Sequence, residues 1–243
     1  MSQATSFCSS RRILSVALAA VMGCGGDLTL PDSSGAGLEL SVVAGNTQIG
    51  TVGQPLPLPI IVRVVTESQQ PIGGRRVAFV LSPVSGAGEV DPDTAVTDSE
   101  GRASTLWVLG TVPGDYQGEA RLVTTDSIEV PAVPFAASAR AGAPDTIRAV
   151  SPLSQPGRRD HELDDPLVVA VVDRYGNPVP DATVLWSVTS GGGSLSAEET
   201  TTDSDGRASV VWTLGSGIGI QKAAATLEGA TGSPVTFTVA VLF

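Results

Sequence analysis

The stretch TDSEGRASTLWVLG (Thr97–Gly110) occurs a second time as TDSDGRASVVWTLG (Thr202–Gly215), with 10 of 14 residues identical. In each copy an Asp, a Ser and a second acidic residue precede a Gly. Asp accepts backbone hydrogen bonds in turns and Gly adopts positive φ without strain, so the phrase predicts a corner that leads into a strand. The predicted turn residues are Asp98, Gly101, Asp203 and Gly206.

The residues after each corner alternate in the way that is typical of a strand with one buried face. The face predicted to be buried carries Ala103, Thr105, Trp107 and Leu109 in the first copy, and Ala208, Val210, Trp212 and Leu214 in the second. We therefore expect Trp107 and Trp212 to be central core residues. Trp186, in another strand-like run, is predicted to point inward as well.

The agreement between the two halves extends beyond this phrase. PLVVAVVDRYGNPVPDATVLW in the second half corresponds to PIIVRVVTESQQPIGGRRVAF in the first, and VTFTVAV corresponds to VPFAASA. The matching segments occur in the same order, which indicates a tandem duplication of units of about 100 residues, a usual domain size. The break falls in SARAGAP (Ser138–Pro144), a linker that should allow bending but limit free tumbling.

Outside the N-terminus the chain consists of strand-like runs of 6 to 8 residues separated by turn segments rich in Gly, Pro, Asn and Asp. The predicted turns include AGNTQIG (Ala44–Gly50) and TVPGDYQ (Thr111–Gln117). No long segment has helical apolar spacing. The predicted fold is therefore all-β, with two tandem immunoglobulin-like β-sandwich domains at residues 38–139 and 140–243.

Residues 1–23 have the features of a signal peptide, with Arg11 and Arg12 before an apolar run of 11 residues that is too short to span a bilayer. VMGC, ending at Cys24, resembles a bacterial lipobox, which implies cleavage before Cys24 and its lipidation. The alternative is an ordinary signal peptide that leaves Cys24 as an unmodified thiol. If the lipobox is used, residues 24–37 are a lipidated Cys and a flexible tether. Gly25 after the Cys favours the outer membrane over the inner one.

Charge and cysteine content restrict the partners of the exported chain. Removal of residues 1–23 takes away Arg11 and Arg12, so the net charge changes from −11 to −13. Such a chain is poorly suited to bind nucleic acid or, unaided, an anionic lipid surface. Only one Cys stays in the mature chain, so no internal disulfide forms, and we expect a monomer stabilised by packing.

Two metal hypotheses arise from the acidic segments. DSDG resembles the start of an EF-hand loop, but the twelfth residue counted from Asp203 or Asp98 is Leu214 or Leu109, where that loop needs a bidentate Glu. A weaker calcium site at Asp98 and Glu100, completed by another loop, stays open. His161 lies among carboxylates in GRRDHELDD, which indicates either a metal ligand or, more commonly, a solvated loop.

No catalytic or cofactor motif is recognisable. The sequence contains no G-x-S-x-G elbow, P-loop, dinucleotide fingerprint or zinc pattern, and a single His offers little for a triad. We therefore predict a protein that is not an enzyme and has no cofactor, no catalytic residue and no metal site.

DRYGNPVPDATVLW (Asp173–Trp186), followed by TDSDGRAS and WTLG, resembles the bacterial Ig-like (Big-1) domains of the invasin and intimin group. The first repeat departs from that pattern at TESQQPIGGRRVAF, where Thr66 replaces the Asp and Gln69–Gln70 replaces Gly-Asn. The resemblance implies a surface or periplasmic β-sandwich, often a stalk that presents another domain. Because no lectin-like domain is recognisable, adhesion is not carried over directly.

These observations predict a lipid-anchored cell-envelope protein with a structural, spacer or protein-binding, adhesion-like role. Its contacts would be loops at the end far from the tether, or exposed strand edges. The alternative is an accessory module that binds polysaccharide or peptidoglycan, which clustered exposed Trp or Tyr would support. A hydrolase is the least favoured reading.

Overall fold

The computed structural model describes residues 37–83, 86–124 and 130–242, which belong to one compact unit. Every regular element in these ranges is a β-strand, and no helix occurs there. The predicted signal peptide (residues 1–23) and Cys24 lie outside the described residues.

The first half of the described chain forms two sheets that enclose one core. One sheet has the strand order β1-β3-β7-β5 and the other has the order β2-β9-β8-β4-β6. The strands are β1 (Leu38–Ala44), β2 (Gln48–Thr51), β3 (Ile60–Thr66), β4 (Arg76–Leu81), β5 (Glu89–Asp91), β6 (Thr94–Val96), β7 (Arg102–Val108), β8 (Gly114–Val123) and β9 (Val133–Arg140).

The second half repeats this arrangement in sheets ordered β10-β12-β16 and β11-β19-β18-β13-β15, with a short β14-β17 pair. The strands are β10 (Thr146–Ala149), β11 (Ser154–Arg158), β12 (Leu167–Val172), β13 (Thr183–Ser190), β14 (Gly193–Leu195), β15 (Glu199–Thr201), β16 (Arg207–Val210), β17 (Trp212–Leu214), β18 (Gly219–Thr226) and β19 (Val235–Leu242). The prediction of an all-β fold with two sandwiches is therefore confirmed.

Each sandwich has its own hydrophobic core. In the first, Trp107 is 1% exposed and its ring meets Phe135 edge-on, with 5.4 Å between ring centroids. In the second, Trp212 is fully buried, and Trp186 stacks on Phe237 at 6.3 Å. Such aromatic pairs add about 0.5–1.5 kcal/mol to the stabilisation from buried area.

The predicted turn Ala44–Gly50 is wrong in its second part, because Gln48–Thr51 forms β2, which runs parallel to β9. The Gly that suggested a turn has another role: a Cβ on Gly50 would collide with the side chain of Leu109. Gly157 in β11 has the same relation to Leu214. A Gly inside a strand thus marks a close approach of a core side chain to the backbone.

Two further strand boundaries differ from the sequence prediction. The predicted turn Thr111–Gln117 is shorter than expected, since β8 begins at Gly114 and pairs with β9 from that residue. The strand after Gly206 is interrupted at Val211. Val211 exchanges main-chain and side-chain hydrogen bonds with Ser196 at 2.9 and 3.0 Å, and these bonds replace the regular ladder there.

Candidate functional site

The two predicted corners have the same hydrogen bonds. Asp98 Oδ1 accepts the backbone N–H groups of Glu100 and Arg102 at 2.8 and 2.9 Å. Asp203 Oδ1 accepts those of Asp205 and Arg207, both at 2.9 Å. Each carboxylate therefore closes its own five-residue turn, the local role that Asp plays in turns.

The Gly of each corner lies against a strand of the same sandwich. Gly101 and Gly206 have φ of 75° and 69°, in the left-handed region that favours Gly. Their carbonyl oxygens accept the N–H groups of Val64 and Val171, each at 2.8 Å. A side chain at either Gly would run into the carbonyl oxygen of that same Val. The corners thus place β7 and β16 beside their neighbouring strands.

The residues of the metal hypotheses have other partners. Glu100 pairs with Arg102 at 2.9 Å on the exposed surface. His161 is exposed, and its Nδ1 lies 2.8 Å from the carbonyl oxygen of Arg159. Within residues 37–83, 86–124 and 130–242, no group of three or more His, Cys, Asp or Glu side chains is placed to hold a metal ion.

A third turn of the same kind occurs at Asp173, and it joins the two sandwiches. Asp173 Oδ1 accepts the N–H groups of Tyr175 and Asn177 at 2.8 and 2.9 Å. Unlike Asp98 and Asp203, Asp173 is almost fully buried, at 2% exposure. Its Oδ2 accepts the side-chain Nδ2 of Asn177 and the N–H of Gly142 in the linker, both at 2.9 Å. We refer to Asp173–Asn177 as the clamp loop.

The clamp loop also reaches the first sandwich. Asn177 Nδ2 donates to the carbonyl oxygen of Thr111 at 2.8 Å. The hydroxyl of Tyr175 lies so close to Gly53 that a Cβ on Gly53 would collide with it. We refer to Gly53 and the Thr111 carbonyl as the socket. One loop therefore holds the linker through Gly142 and the neighbouring domain through the socket.

Tyr175 also contacts its neighbour Arg174. The guanidinium carbon of Arg174 lies 4.5 Å from the centre of the Tyr175 ring, and its Nη2 donates to the Tyr175 hydroxyl. A guanidinium over an aromatic face is a favourable cation–π arrangement. Tyr175 stays 37% exposed at the junction.

The hydrogen bonds at Asp173 decide its ionisation. Burial on its own raises the pKa of this carboxyl, but hydrogen bonds from Asn177, Gly142 and Tyr175 outweigh burial and lower the pKa below its ordinary value. Donors that favour the charged form have this effect on a carboxylate. Asp173 is therefore ionised at neutral pH, when its four acceptor bonds are strongest.

The first repeat forms the corresponding turn without a carboxylate. Thr66 Oγ1 accepts the N–H of Gln70 at 3.2 Å, and Gln69 takes a φ of 62° where Gly176 has 86°. The sequence showed this departure at Thr66, Gln69 and Gln70. It did not show what Asp173 and Asn177 do, because their partners Gly142 and Thr111 are distant in sequence and ordinary in type.

Comparisons with known proteins agree with this architecture. Residues 164–240 match the family described as bacterial Ig-like domain (group 1). A search of curated protein sequences finds no match. No helix in the ranges that the structure describes is long and apolar enough to cross a membrane.

Among solved structures, the chain is similar to FdeC, an Escherichia coli adhesin, at 20% identity and a TM-score of 0.52, over 85% of this chain and 65% of that one. It also matches the D0–D1 domain of intimin at 19% identity and a TM-score of 0.32, over 85% and 97% of the two chains. InvD from Yersinia pseudotuberculosis matches at 16% identity and a TM-score of 0.49, over 86% and 58%. The predicted resemblance to bacterial Ig-like (Big-1) domains is confirmed by the match of residues 164–240 to the bacterial Ig-like domain (group 1) family.

Proposed function

We propose that the protein is a lipid-anchored spacer of the cell envelope, in which two Ig-like domains hold a protein-binding surface away from the membrane. The family match supports a structural or adhesion-like role at a bacterial surface and favours a non-enzymatic protein. The spacer, the anchor and the bound protein are our inference beyond that family assignment.

The observation that carries the spacer role is the clamp loop. A spacer keeps its length only when its linkers are held, and domains joined by small interfaces usually move relative to one another. Here Asp173 binds Gly142 of the linker, while Asn177 binds Thr111 of the other domain. The Asp173 carboxylate is buried and charged, so its hydrogen bonds are among the stronger ones in proteins.

The anchor would be Cys24, with residues 24–37 as the tether. A flexible tether of this length spans about 20 Å on average. Two or more acyl chains are needed for stable attachment, and a bacterial lipobox Cys would supply them. We propose the outer membrane as the location, residues 38–139 and 140–243 as the two domains, and a monomer as the working form.

The bound partner is better described as a protein than as a polysaccharide. Carbohydrate-binding surfaces commonly use exposed aromatic platforms, but all three Trp side chains are at most 3% exposed and Tyr116 is 5% exposed. Tyr175 is engaged at the junction. The net charge of the exported chain also disfavours nucleic acid. The polysaccharide alternative thus has no supporting feature among the described residues.

NMR relaxation of the mature chain carrying Cys24→Ser tests the spacer role. The two domains should share one rotational correlation time, and the double variant Asp173→Ala/Asn177→Ala should separate them into two shorter ones. Asp203→Ala is the matched control. It removes two equivalent hydrogen bonds, those that Asp203 accepts from the N–H groups of Asp205 and Arg207, at a turn away from the junction. Independent tumbling of the domains without any junction mutation would refute the spacer.

A further inference from the structure

The two sandwiches have equivalent ends, which can be aligned by their hydrogen bonds. In the first, Gln54 N–H donates to Thr51 O, and Leu109 N–H donates to Gln54 O. In the second, His161 N–H donates to Arg158 O, and Leu214 N–H donates to His161 O. Gln54 and His161 are therefore equivalent. The residues before them, Gly53 in the first sandwich and Asp160 in the second, occupy equivalent positions.

Asp160 has the same backbone conformation as Gly53, but Asp160 carries a side chain and Gly53 does not. The two φ values are 59° for Asp160 and 67° for Gly53, so both residues are left-handed. Asp is one of the few residues that adopts this conformation readily. Its Cβ, however, stands where the Tyr175 hydroxyl approaches Gly53 in the first sandwich. A second clamp loop would collide with Asp160 at this position.

The loop that carries the other half of the socket also differs. In the first sandwich, Gly110 O accepts the N–H of Gly53 at 2.9 Å, and the next residue, Thr111, offers its carbonyl to Asn177. In the second sandwich, Gln221 donates to both Gly215 O and Gly217 O at 3.0 and 2.9 Å and accepts the Gly215 N–H. Gln221 is 1% exposed, and the corresponding residue of the first sandwich, Tyr116, donates from its hydroxyl to Val112 O instead, so the two loops are held by different side chains and a different set of hydrogen bonds.

We infer that the socket of the first sandwich accepts a module with a D-x-Y-G-N clamp loop, and that the equivalent end of the second sandwich is closed to such a module by Asp160. The inference goes beyond the spacer role, because it states which modules can follow one another. Repeat proteins commonly have terminal capping modules with a polar outer face, which keeps the end of the array soluble. Asp160 and its exposed neighbours Arg158, Arg159 and Glu162 give the second sandwich such a face.

A difference in the first sandwich also disfavours end-to-end association of two copies. The turn of the first sandwich that corresponds to the clamp loop contains Thr66, Glu67 and Gln70 in place of Asp, Arg and Asn, so it lacks the carboxylate that holds the linker. A second copy could not use that turn to occupy the end that Asp160 closes.

An extended chain tests the inference directly. A copy of residues 140–243 is joined after Val241, so that Arg140 of the copy takes the register position of Leu242, since Arg140 pairs with Thr51 and Leu242 pairs with Arg158. Both junctions then contain the same Arg140–Ala141 peptide bond, linker and clamp loop, and only their sockets differ. Trypsin cleavage of the two bonds is followed by mass spectrometry under native conditions.

We expect the first bond to be protected and the second to be cleaved faster by about tenfold or more, because cleavage follows the population of the open junction. Asp160→Gly in the extended chain should slow cleavage at the second junction, while Asp160→Asn, which keeps a side chain there, should not. Equal rates at the two bonds would overturn the inference. If both bonds are equally fast, the spacer proposal falls as well, whereas two protected bonds refute only the closed end.

Gly53→Asp in the unextended chain of 243 residues gives an independent test. The variant should fold, because Asp160 already adopts the same backbone conformation in the second sandwich. We expect faster cleavage after Arg140 and unchanged unfolding of each sandwich by circular dichroism and tryptophan fluorescence. Unchanged cleavage in a folded Gly53→Asp protein would show that the collision at Gly53 does not control docking.

Discussion

Asn177 donates from its side-chain Nδ2 to the carbonyl oxygen of Thr111, which lies 66 residues earlier and in the other sandwich, over 2.8 Å. The same Nδ2 donates to Asp173 Oδ2, so one amide group links the charged centre of the clamp loop to the neighbouring domain. The junction therefore depends on a few directed hydrogen bonds, and single substitutions can separate its parts.

Asn177→Ala should loosen the junction without unfolding either sandwich. The change removes one hydrogen bond to Asp173 and one to Thr111, and each such bond contributes about 0.5–1.5 kcal/mol. We expect faster hydrogen exchange of the Gly142 amide, measured by NMR. Asn46→Ala is the control, because Asn46 makes comparable bonds to Thr47 and Ala136 within the first sandwich. Equal acceleration in both variants would contradict a specific effect at the junction.

The junction should weaken in acid. Because the folded-state pKa of Asp173 is lowered below its ordinary value, the stabilisation is fully present above the unfolded-state pKa and is lost as the pH falls through the folded-state value. Between those two values Asp173 takes up a proton when the junction opens, so falling pH favours the open junction, in which its bonds to Gly142, Tyr175 and Asn177 are broken. We expect Gly142 exchange to rise in this acid range relative to its intrinsic rate.

Asp173→Asn supplies the control for the acid response. The substituted side chain keeps a similar shape but does not ionise, so the pH dependence of Gly142 protection should disappear. A dependence that persists in Asp173→Asn would assign the acid response to another group.

Substitution by Phe should lower the free energy of unfolding more at Trp107 than at Trp212. Trp107 Nε1 donates to Ala87 O at 2.9 Å, whereas Trp212 Nε1 is buried and has no partner among the described residues. At the position of Ala87 the second sandwich has Gly192 with a φ of 78°. Trp107→Phe should therefore cost about 1 kcal/mol more than Trp212→Phe, since it leaves a buried carbonyl unpaired.

Urea unfolding of each domain measures that difference, and the Ala variants calibrate it. Trp212→Ala should lower the free energy of unfolding of the second domain by about 3–5 kcal/mol, as large aromatic deletions in cores do. A neutral effect of Trp212→Ala would contradict its place in the core. A larger loss in Trp212→Phe than in Trp107→Phe would mean that the indole N–H of Trp212 is paired in solution.

Gln69→Gly should stabilise the first sandwich by about 1 kcal/mol, because a non-glycine residue in the left-handed region costs about 1–2 kcal/mol. Gly176→Gln in the second sandwich is the reverse change, and it should destabilise by a similar amount. No atom lies within 4 Å of a Cβ built on Gly176, so the backbone conformation alone would be responsible. Thermal unfolding measures both, and a stabilising Gly176→Gln would contradict the explanation.

Cys24→Ser should release the protein from the membrane fraction. Without the thiol no acyl chains can be attached, and the acidic chain has little affinity for an anionic lipid surface. Fractionation and metabolic labelling with a fatty acid measure the change. Retention of the unlabelled Cys24→Ser protein in membranes would argue against lipid anchoring and for another means of attachment.

The sequence predicts most of the fold because the main signals are local. The alternation from Arg102 to Val108 indicates one buried face, and the structure buries Ala103, Thr105 and Trp107. Strand β2 was not predicted, because it is short and its Gly50 has a packing role that resembles turn composition. The length of β8 was underestimated for a related reason, since pairing with β9 continues through the turn-like residue Gly114.

The junction could not be predicted in the same way. Asp173 begins a turn like Asp98 and Asp203, and the three look alike in sequence. What distinguishes Asp173 is the approach of Gly142 and Thr111, which depends on how two domains dock. Position 177 carries Asn where positions 102 and 207 carry Arg, and the side-chain amide of Asn177 donates to both Asp173 and Thr111.

The first sandwich takes part in the contact with the clamp loop through the main-chain oxygen of Thr111 and through Gly53, which has no side chain. Neither contribution restricts the chemistry of the surrounding surface. The receiving module can therefore diverge widely during evolution, or be replaced in an engineered protein, as long as one glycine and one loop path are preserved. Selection on such a pair of domains would act unevenly, with strong constraint on the inserting module and weak constraint on its host.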